Sequence, residues 1–398
     1  MLLPDVAADH AAEAAFLWYL RELAAVSPVH GPQNLADLDE RVAAHLDALF
    51  VNGAVGVAAC KAGFASHPRS REAFPLAWLA AASGSPDLLA EVAKAADAEP
   101  ATIPGIAAAL SWLGAEHVAT AVTALWSTGP GAKRAVLAGI GDLRADPGDL
   151  ISRGCRDEDA DVRIAAWASA ARLGRRDLAT TATTALTSEH PGERAVAACA
   201  LAIATPAAPP SALLRAAMTM PGAIGDLAVD LFTRLLPTEQ VDPEVVRPHA
   251  GRSFRAALGR GTVAEVNRLV ALLALHPARY AFDAILTITG VDPKSAGLTG
   301  HAPAEDPSAG LALDPHRDAP WPDVAAVTAW WNAFRGNLDP GCRYLAGQAV
   351  NLASCTTLAA CADQRTRGLA ALELAILGHP WPATGAPSPS ALRGMAVA

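Results

Sequence analysis

A two-helix pattern recurs along this chain with a period near thirty residues. Its clearest copy lies at 153–178, where acidic residues precede an Ala-rich helix that ends at Leu173-Gly174. The apolar residue that follows the turn of each copy falls at Leu88, Val118, Leu150 and Leu178. These positions are 30, 32 and 28 residues apart. Self-similarity at a fixed period is typical of tandem helical repeats, in which each unit buries its apolar face against the next.

The composition favours an all-α chain built from many short helices. Of the 398 residues, 52% are hydrophobic but 5% are aromatic, so alanine, leucine and valine must fill the core. Alanine has the highest helix propensity. The 31 glycines and 30 prolines separate short segments, as in helices joined by tight turns. The sequence therefore predicts an all-α solenoid of helical repeats, with an N-terminal cap and a small C-terminal helical domain.

The first two predicted helices do not follow the repeat spacing. The first, Asp5–Leu23, is predicted to bury residues spaced three and four apart, namely Ala12, Ala15, Phe16, Tyr19, Leu20 and Leu23. The second, Leu35–Phe50, has Asn34 as its predicted N-cap. A solenoid needs its first apolar face covered, so this pair is predicted to be a cap.

Changes in composition divide the chain into five predicted regions. They are an N-terminal helical cap at 1–60, a repeat solenoid at 61–290, a loop or linker at 291–322, a C-terminal helical region at 323–380 and a flexible tail at 381–398. The linker is rich in Asp, Gly and Pro, and loops of this length are usually functional or disordered. The tail contains Pro, Ser and Gly, which is typical of mobile segments.

The stretch Asp157–Gly174 resembles the HEAT-repeat superfamily, including the short variant found in phycobilisome lyases. The likeness rests on an acidic cluster, a Val162-Arg163 pair, two alanines and a Leu-Gly helix end. The resemblance implies a ladder, in which an acid caps a helix and binds the arginine of a neighbouring repeat. It assigns Asp161 and Arg163 to that ladder, with Arg194 as the next copy 31 residues on.

A second resemblance covers nearly the whole chain. The residues that carry it are 10–18 (HAAEAAFLW), Arg21, 38–46 (LDERVAAHL), Trp321-Pro322-Asp323, Trp330-Trp331, 341–347 (GCRYLAG), Arg367 and 370–374 (AALEL). In these the chain is similar to a bacterial family of HEAT-like proteins found in type VI secretion gene clusters. The resemblance implies a non-enzymatic accessory, adaptor or chaperone-like protein that acts on a secretion effector or spike component.

Aromatic and cationic residues are concentrated near the end of the chain. Trp330, Trp331, Arg343 and Tyr344 are therefore the candidate protein-binding residues. Adjacent helix positions do not share a face, so one tryptophan is expected in the core and one at the surface. An exposed Trp near Arg is typical of a binding hot spot. The alternative is an anchor that packs the C-terminal region onto the repeats.

Charge and cysteine usage exclude several classes of protein. The net charge is −9, whereas a nucleic-acid-binding protein needs a basic surface, so no nucleic-acid partner is expected. The six cysteines form no C-x-x-C pair, which indicates small apolar residues in a reducing compartment. No apolar run of about 18 residues and no signal-peptide pattern is present, so we expect a cytoplasmic protein without a membrane span.

No catalytic motif or metal site is predicted. Residues that could hold a metal lie in the predicted linker, at His301, Asp306, Asp314, His316 and Asp318. No helix or strand is predicted to fix their geometry, so a solvated acidic loop is favoured and neither metal nor cofactor is expected. The serines lack the nucleophile-elbow pattern of hydrolases.

Two alternative functions remain open at this point. A HEAT-fold enzyme or cofactor-binding protein of bilin-lyase type would need a polar, titratable pocket. A DNA-alkylation repair protein would use aromatic residues on a basic face, for which the candidates are Trp78, Trp112, Trp126 and Trp167. Packing of these rings between helices is favoured, because the charge balance opposes phosphate contacts.

Overall fold

The computed structural model describes residues 3–241, 250–274, 278–302 and 319–394. In these ranges the fold is all-α, as predicted, apart from one short β-hairpin and an isolated bridge between Thr299 and Pro322. By its internal contacts the chain forms two compact units. Unit 1 comprises 1–25, 30–200 and 381–398, and unit 2 comprises 26–29 and 201–380.

Unit 1 consists of short helices, of which five in its described residues begin at Pro. The helices are α1 (Pro4–Ala24), α2 (Pro32–Val51), α3 (Ala54–Ser66), α4 (Ser70–Ala82), α5 (Pro86–Ala98), α6 (Ile103–Ser111), α7 (Ala115–Trp126), α8 (Pro130–Leu143), α9 (Leu150–Gly154), α10 (Ala160–Leu173), α11 (Ala179–Ala185) and the start of α12 (Pro191–Ala204), with 3-10 turns at Pro100–Thr102, Pro147–Asp149 and Arg176–Leu178. Proline suits the first turn of a helix because an N–H at that position would have no partner within the helix, so nothing is lost when proline lacks it.

Alternate helices of unit 1 pack in a row. Helix α1 packs on α2, α3 and α4, and the row then continues from α4 through α6 and α8 to α10. Gly105 permits the close approach of α6 to α4, since a Cβ there would lie 1.9 Å from the Ser70 carbonyl oxygen. The hydrogen bonds between successive row members join residues about thirty apart. One example runs from Ser169 Oγ to the Leu137 carbonyl, 2.6 Å long and 32 residues apart.

Helix α1 buries only part of the predicted face. Ala15 is buried as predicted, whereas Phe16 is 47% exposed and Ala12 is exposed. The prediction also left out the charged Arg21, which is buried beside a counter-charge from α2. The cap of α2 also differs, since Gly31 is its N-cap and donates to Asn34 Oδ1 at 2.9 Å.

Unit 2 contains the end of α12 and a second series of helices. They are α13 (Ser211–Ala217), α14 (Gly222–Leu235), α15 (Ala250–Arg260), α16 (Val263–Leu272), α17 (Ala278–Thr289), α18 (Val324–Phe334), α19 (Leu352–Cys361) and α20 (Gln364–Ile376), with a 3-10 turn at Arg335–Asn337. A core of α15, α16, α17 and α18 surrounds the buried rings Phe254, Phe282 and Trp331.

The hairpin of unit 2 lies at the C-terminal ends of α15 and α17. Its strands are β1 (Tyr344–Leu345) and β2 (Gln348–Ala349), paired antiparallel. The amide of Tyr344 donates to the Gly261 carbonyl and that of Gly347 to the Ile288 carbonyl, each within 2.9 Å. Because the last carbonyls of a helix lack partners within it, the hairpin satisfies acceptors that would otherwise be orphaned.

The structure bears on the predicted regions in three places. The division between the units falls within α12, whereas the predicted solenoid continued to 290. Of the predicted linker, residues 303–318 lie outside the described residues. Four of the five candidate metal ligands fall in this stretch, so that prediction is not tested. The two flanks of this stretch are joined, because the Gly300 amide donates to the Trp321 carbonyl at 2.8 Å. Where a flexible tail was predicted, Trp381–Gly394 packs on helices of unit 1 and includes helix α21 (Pro389–Gly394).

Within the described residues, no single helix is both long enough and apolar enough to cross a membrane. Helices α2 and α3 together have the length and hydropathy of a membrane span, but they meet at an angle of 119°.

Candidate functional site

The two adjacent tryptophans of α18 face different environments. Trp331 is 2% exposed, and its Nε1 donates to Asn267 Oδ1 at 2.8 Å. Trp330 is half-buried and stacks on Phe334, with ring centroids 5.0 Å apart and planes 16° from parallel. Trp331 thus makes the contact that an anchor requires. The Trp330–Phe334 stack is the part of this aromatic cluster that a partner can reach.

The other two candidate residues, Arg343 and Tyr344, are held by intramolecular contacts. Tyr344 is buried, and its hydroxyl accepts a hydrogen bond from the Asp339 amide at 2.8 Å. Arg343 is half-buried and lies 2.5 Å from Glu373, measured from NH2 to Oε1. Trp331, Tyr344 and Arg343 are each held by a hydrogen bond or an ion pair. Of the four residues predicted to bind a partner, Trp330 is therefore the one whose ring is accessible.

Arg343 is the end of a continuous series of alternating charges, here named the charge chain. In order, its members are Arg252, Asp226, Arg255, Asp230, Arg234, Glu373 and Arg343. The successive N–O distances are 3.1, 3.8, 2.6, 3.0, 2.8 and 2.5 Å. The chain joins α14, α15 and α20 to the hairpin. Of its members, Arg343 alone was a candidate site residue, and Glu373 stood in the 370–374 segment that carries the resemblance. Their pairing was not predicted, because charges far apart in sequence carry no signal of it.

The centre of the charge chain is buried. The side chains of Arg234 and Glu373 are 1% and 4% exposed. Burial alone would lower the pKa of Arg234, but Asp230 and Glu373 raise it above its ordinary value, so the guanidinium is charged. Removing one partner from such a pair typically costs about 3–5 kcal/mol, because the other charge stays buried.

The predicted ladder residues pair with neighbouring helices rather than with one another. Asp161 lies 3.4 Å from Arg134 of α8, and Arg163 lies 2.9 Å from Glu193 of α12. Burial raises the pKa of Glu193, but hydrogen bonds from Arg163 and Ser188 outweigh it and lower that pKa overall. These two ion pairs therefore link α8 to α10 and α10 to α12. The partners Arg134 and Glu193 were missed because neither stands at the same repeat position as the predicted residues.

Arg163 and Arg194 share a second role that the sequence did not suggest. Arg163 NH1 donates to the carbonyls of Asp157 and Glu158, both at 2.9 Å. Arg194 NH1 donates to those of Ser188 and Glu189, at 2.6 and 3.0 Å. Each arginine thus clamps the turn that precedes its own helix. The residues of the two clamps correspond at a spacing of 31 positions.

A cleft of about 400 Å³ opens between α1, α3 and α4 of unit 1. Its walls are mostly apolar, and they include Ala8, Ala12, Phe16, Ala59, Cys60, Gly63, Phe64 and Pro75. The polar residues at the cleft include Arg71 and Glu72. Arg71 Nε donates to Glu72 Oε1 at 2.6 Å, while the buried Oε2 has no hydrogen-bond partner among the described residues. Of the α1 residues that were predicted to be core, Ala12, Ala15 and Phe16 line this cleft.

Three of the buried cysteines are not reactive nucleophiles. Burial raises the pKa of Cys60, Cys155 and Cys199 to about 12. At neutral pH these groups are thiols rather than thiolates, and the thiolate is the reactive form. Among the residues that the structure describes, no three His, Cys, Asp or Glu side chains are grouped to hold a metal ion.

The four tryptophans considered for a DNA-repair surface do not lie together on an exposed face. Trp78, Trp112 and Trp167 are buried between helices of unit 1. Trp126 is half-buried, with the cations of Lys133 and Arg153 at 5.9 and 5.2 Å from its ring. The first three therefore serve the core.

Comparisons of the chain with protein-family models, with curated proteins and with solved structures found no match.

Proposed function

We propose that this chain is a HEAT-like solenoid of helix pairs that binds a protein partner and has no catalytic activity of its own. The observation that carries the proposal is the repeated arginine clamp. Arg163 and Arg194 hold equivalent turns at a spacing of 31 residues, within a row of helices whose hydrogen bonds also join residues about thirty apart. Stacked helix pairs build long surfaces that commonly bind other proteins.

We further propose that the partner is an effector or spike component of type VI secretion, bound in the cytoplasm. The support is the sequence resemblance carried by the two ends of the chain. The surface proposed for the partner is the Trp330–Phe334 stack. Aromatic residues are enriched at binding hot spots because they bury a large area with few rotatable bonds.

Co-purification from a host with an active secretion system tests this proposal. The tagged chain is expected to recover a named effector or spike protein, and the reciprocal tagged partner is expected to recover the chain. Trp330→Ala should abolish the recovery, whereas Lys61→Ala, at an exposed ion pair of unit 1, should leave it unchanged. Recovery of no secretion protein in either direction, or recovery that Trp330→Ala does not alter, would count against the proposal.

A second candidate function is the binding of a small apolar molecule in the cleft between α1, α3 and α4. Its volume of about 400 Å³ falls in the range of ligand pockets. An apolar fluorescent dye should bind the wild type. Gly63→Leu should abolish that binding, since a Cβ at Gly63 meets no atom within 4 Å and is free to extend.

A further inference from the structure

The segment Trp381–Gly394, here named the strap, contacts unit 1 at three separate points. The Arg144 guanidinium lies 5.3 Å from the ring centre of Trp381. Arg21 NH2 donates to the Gly385 carbonyl at 2.6 Å, and the Ser388 amide donates to Asp39 Oδ2 at 2.7 Å. Ser388 then caps α21, whose Ala391 is 2% exposed, and α21 packs on α2.

The groups that hold the strap are positioned by other residues of unit 1. Arg21 Nε is paired with Asp39 Oδ1 at 2.9 Å, and its guanidinium lies 5.8 Å from the ring of Trp112. Arg144 NH1 donates to the Arg172 carbonyl at 3.0 Å, while its buried Nε has no hydrogen-bond partner in the described part of the chain. The strap therefore meets a site that is built from α1, α2 and α8. We name Arg21, Asp39 and Arg144 the strap site.

The strap is recognised mainly through its backbone. The contacts at Gly385 and Ser388 use a carbonyl oxygen and an amide, and a turn from Ala383 to Ala386 contains Gly385 and precedes Ser388. The site also contacts the ring of Trp381, and Pro387 is buried. A segment of another protein can supply the same groups if it has an aromatic residue, a turn and then a serine that begins a helix.

We propose that the strap site is a peptide-recognition site, which the strap fills in cis and from which a partner segment of the same chemistry displaces it. The inference rests on the proposed function, since it gives the scaffold a second binding surface. Backbone contacts and a single aromatic anchor are the usual means by which proteins recognise short segments. A tethered occupant has an effective concentration on the order of 1 mM, so it weakens binding of a competing segment without abolishing it.

The test uses the full chain with a protease site inserted between Pro380 and Trp381. A labelled synthetic peptide of residues 379–394 is titrated by fluorescence anisotropy before and after cleavage. We expect the cleaved, dialysed protein to bind the peptide at least about tenfold more tightly than the uncut protein does, because the tethered competitor has gone. A peptide with Ser388→Pro lacks the amide that Asp39 accepts and should bind at least about tenfold more weakly. The control peptide, with Ala383→Ser, should bind like the original.

Three results would overturn the proposal. They are equal binding before and after cleavage, absence of peptide binding to cleaved protein that keeps its circular dichroism and melting temperature, and equal binding of the Ser388→Pro peptide. If cleavage unfolds unit 1, the uncut chain carrying Trp381→Ala and Ser388→Pro gives the same measurement. No secretion protein is used, so a failed strap site and a failed secretion partner give separate results.

Discussion

Arg234 and Glu373 form a buried ion pair between α14 and α20, with 2.8 Å between Nε and Oε1. They are 139 residues apart in the sequence. Each has a second partner, because Arg234 also binds Asp230 and Glu373 also binds Arg343. Buried pairs of this kind often add little net stability relative to an apolar core, but they specify which elements pack together.

Removal of Glu373 should therefore destabilise unit 2 strongly. We expect Glu373→Ala to lower the free energy of unfolding by about 3–5 kcal/mol, since Arg234 would remain buried and charged. The matched change is Glu91→Ala, which breaks an exposed pair with Lys61 and should cost about 1 kcal/mol or less. Urea denaturation of both variants measures the difference. Equal midpoints would show that the charge chain does not hold the fold.

The adjacent tryptophans should separate stability from binding. Trp331→Ala is expected to cost about 3–5 kcal/mol, because it leaves a cavity in the core and an unpaired Asn267. Trp330→Ala should cost less, about 1–2 kcal/mol for the lost stack and partial burial, and should weaken partner binding. Thermal melts and co-purification on the same preparations give both readouts. A large loss of stability in Trp330→Ala would assign that ring to the core.

Two helical glycines of unit 1 should respond oppositely to alanine. Gly63→Ala adds a Cβ in open space, so it should raise stability by about 0.5–1 kcal/mol through helix propensity. Gly105→Ala puts a Cβ 1.9 Å from the Ser70 carbonyl oxygen and should force α6 away from α4, with a loss of about 1–3 kcal/mol or more. Chemical denaturation measures both. A stabilised Gly105→Ala would mean that these helices pack less closely than the structure shows.

The His10–His45 contact should make unit 1 less stable in acid. The two Nδ1 atoms are 2.9 Å apart, which requires at least one unprotonated ring. Burial chiefly lowers the pKa of His45, with His10 and Arg41 adding to the effect and Glu13 opposing it. The unfolded chain then binds more protons than the folded one as the pH falls below about 6.5, so stability falls with it.

Denaturation midpoints at pH 7.5 and 5.5 test this expectation. Wild-type protein should lose more stability between them than His45→Gln, which cannot take up the proton. The exposed His67 provides the control, and His67→Gln should keep the wild-type pH dependence. A His45→Gln variant with the wild-type slope would exclude this pair as its cause.

The existence of helices was predictable from the sequence, while the buried face of a helix was not always so. The pattern on α1 selected Ala12 and Phe16, yet the structure places both at the cleft and buries Arg21. A periodicity argument ranks residues by hydrophobicity, so it cannot assign an arginine to the core. Arg21 is buried because Asp39 and the Gly385 carbonyl reach it there.

The candidate residues show the same limit. Adjacency alone predicted that Trp330 and Trp331 face different ways, and they do. It could not say which ring is core, since that depends on Asn267 of another helix. Arg163 could be identified as a ladder residue, but its partner Glu193 follows from the position of α12.

The sequence by itself determined the all-α class and the approximate extents of the first two helices. These are local properties, because helix propensity, proline and glycine act within a few residues of the backbone. Only the tertiary structure decided which charges pair, which aromatic ring remains accessible and that the strap returns to α1 and α2. A buried charge is stable only where its counter-charge has been brought within about 4 Å, and that placement belongs to the packed helices.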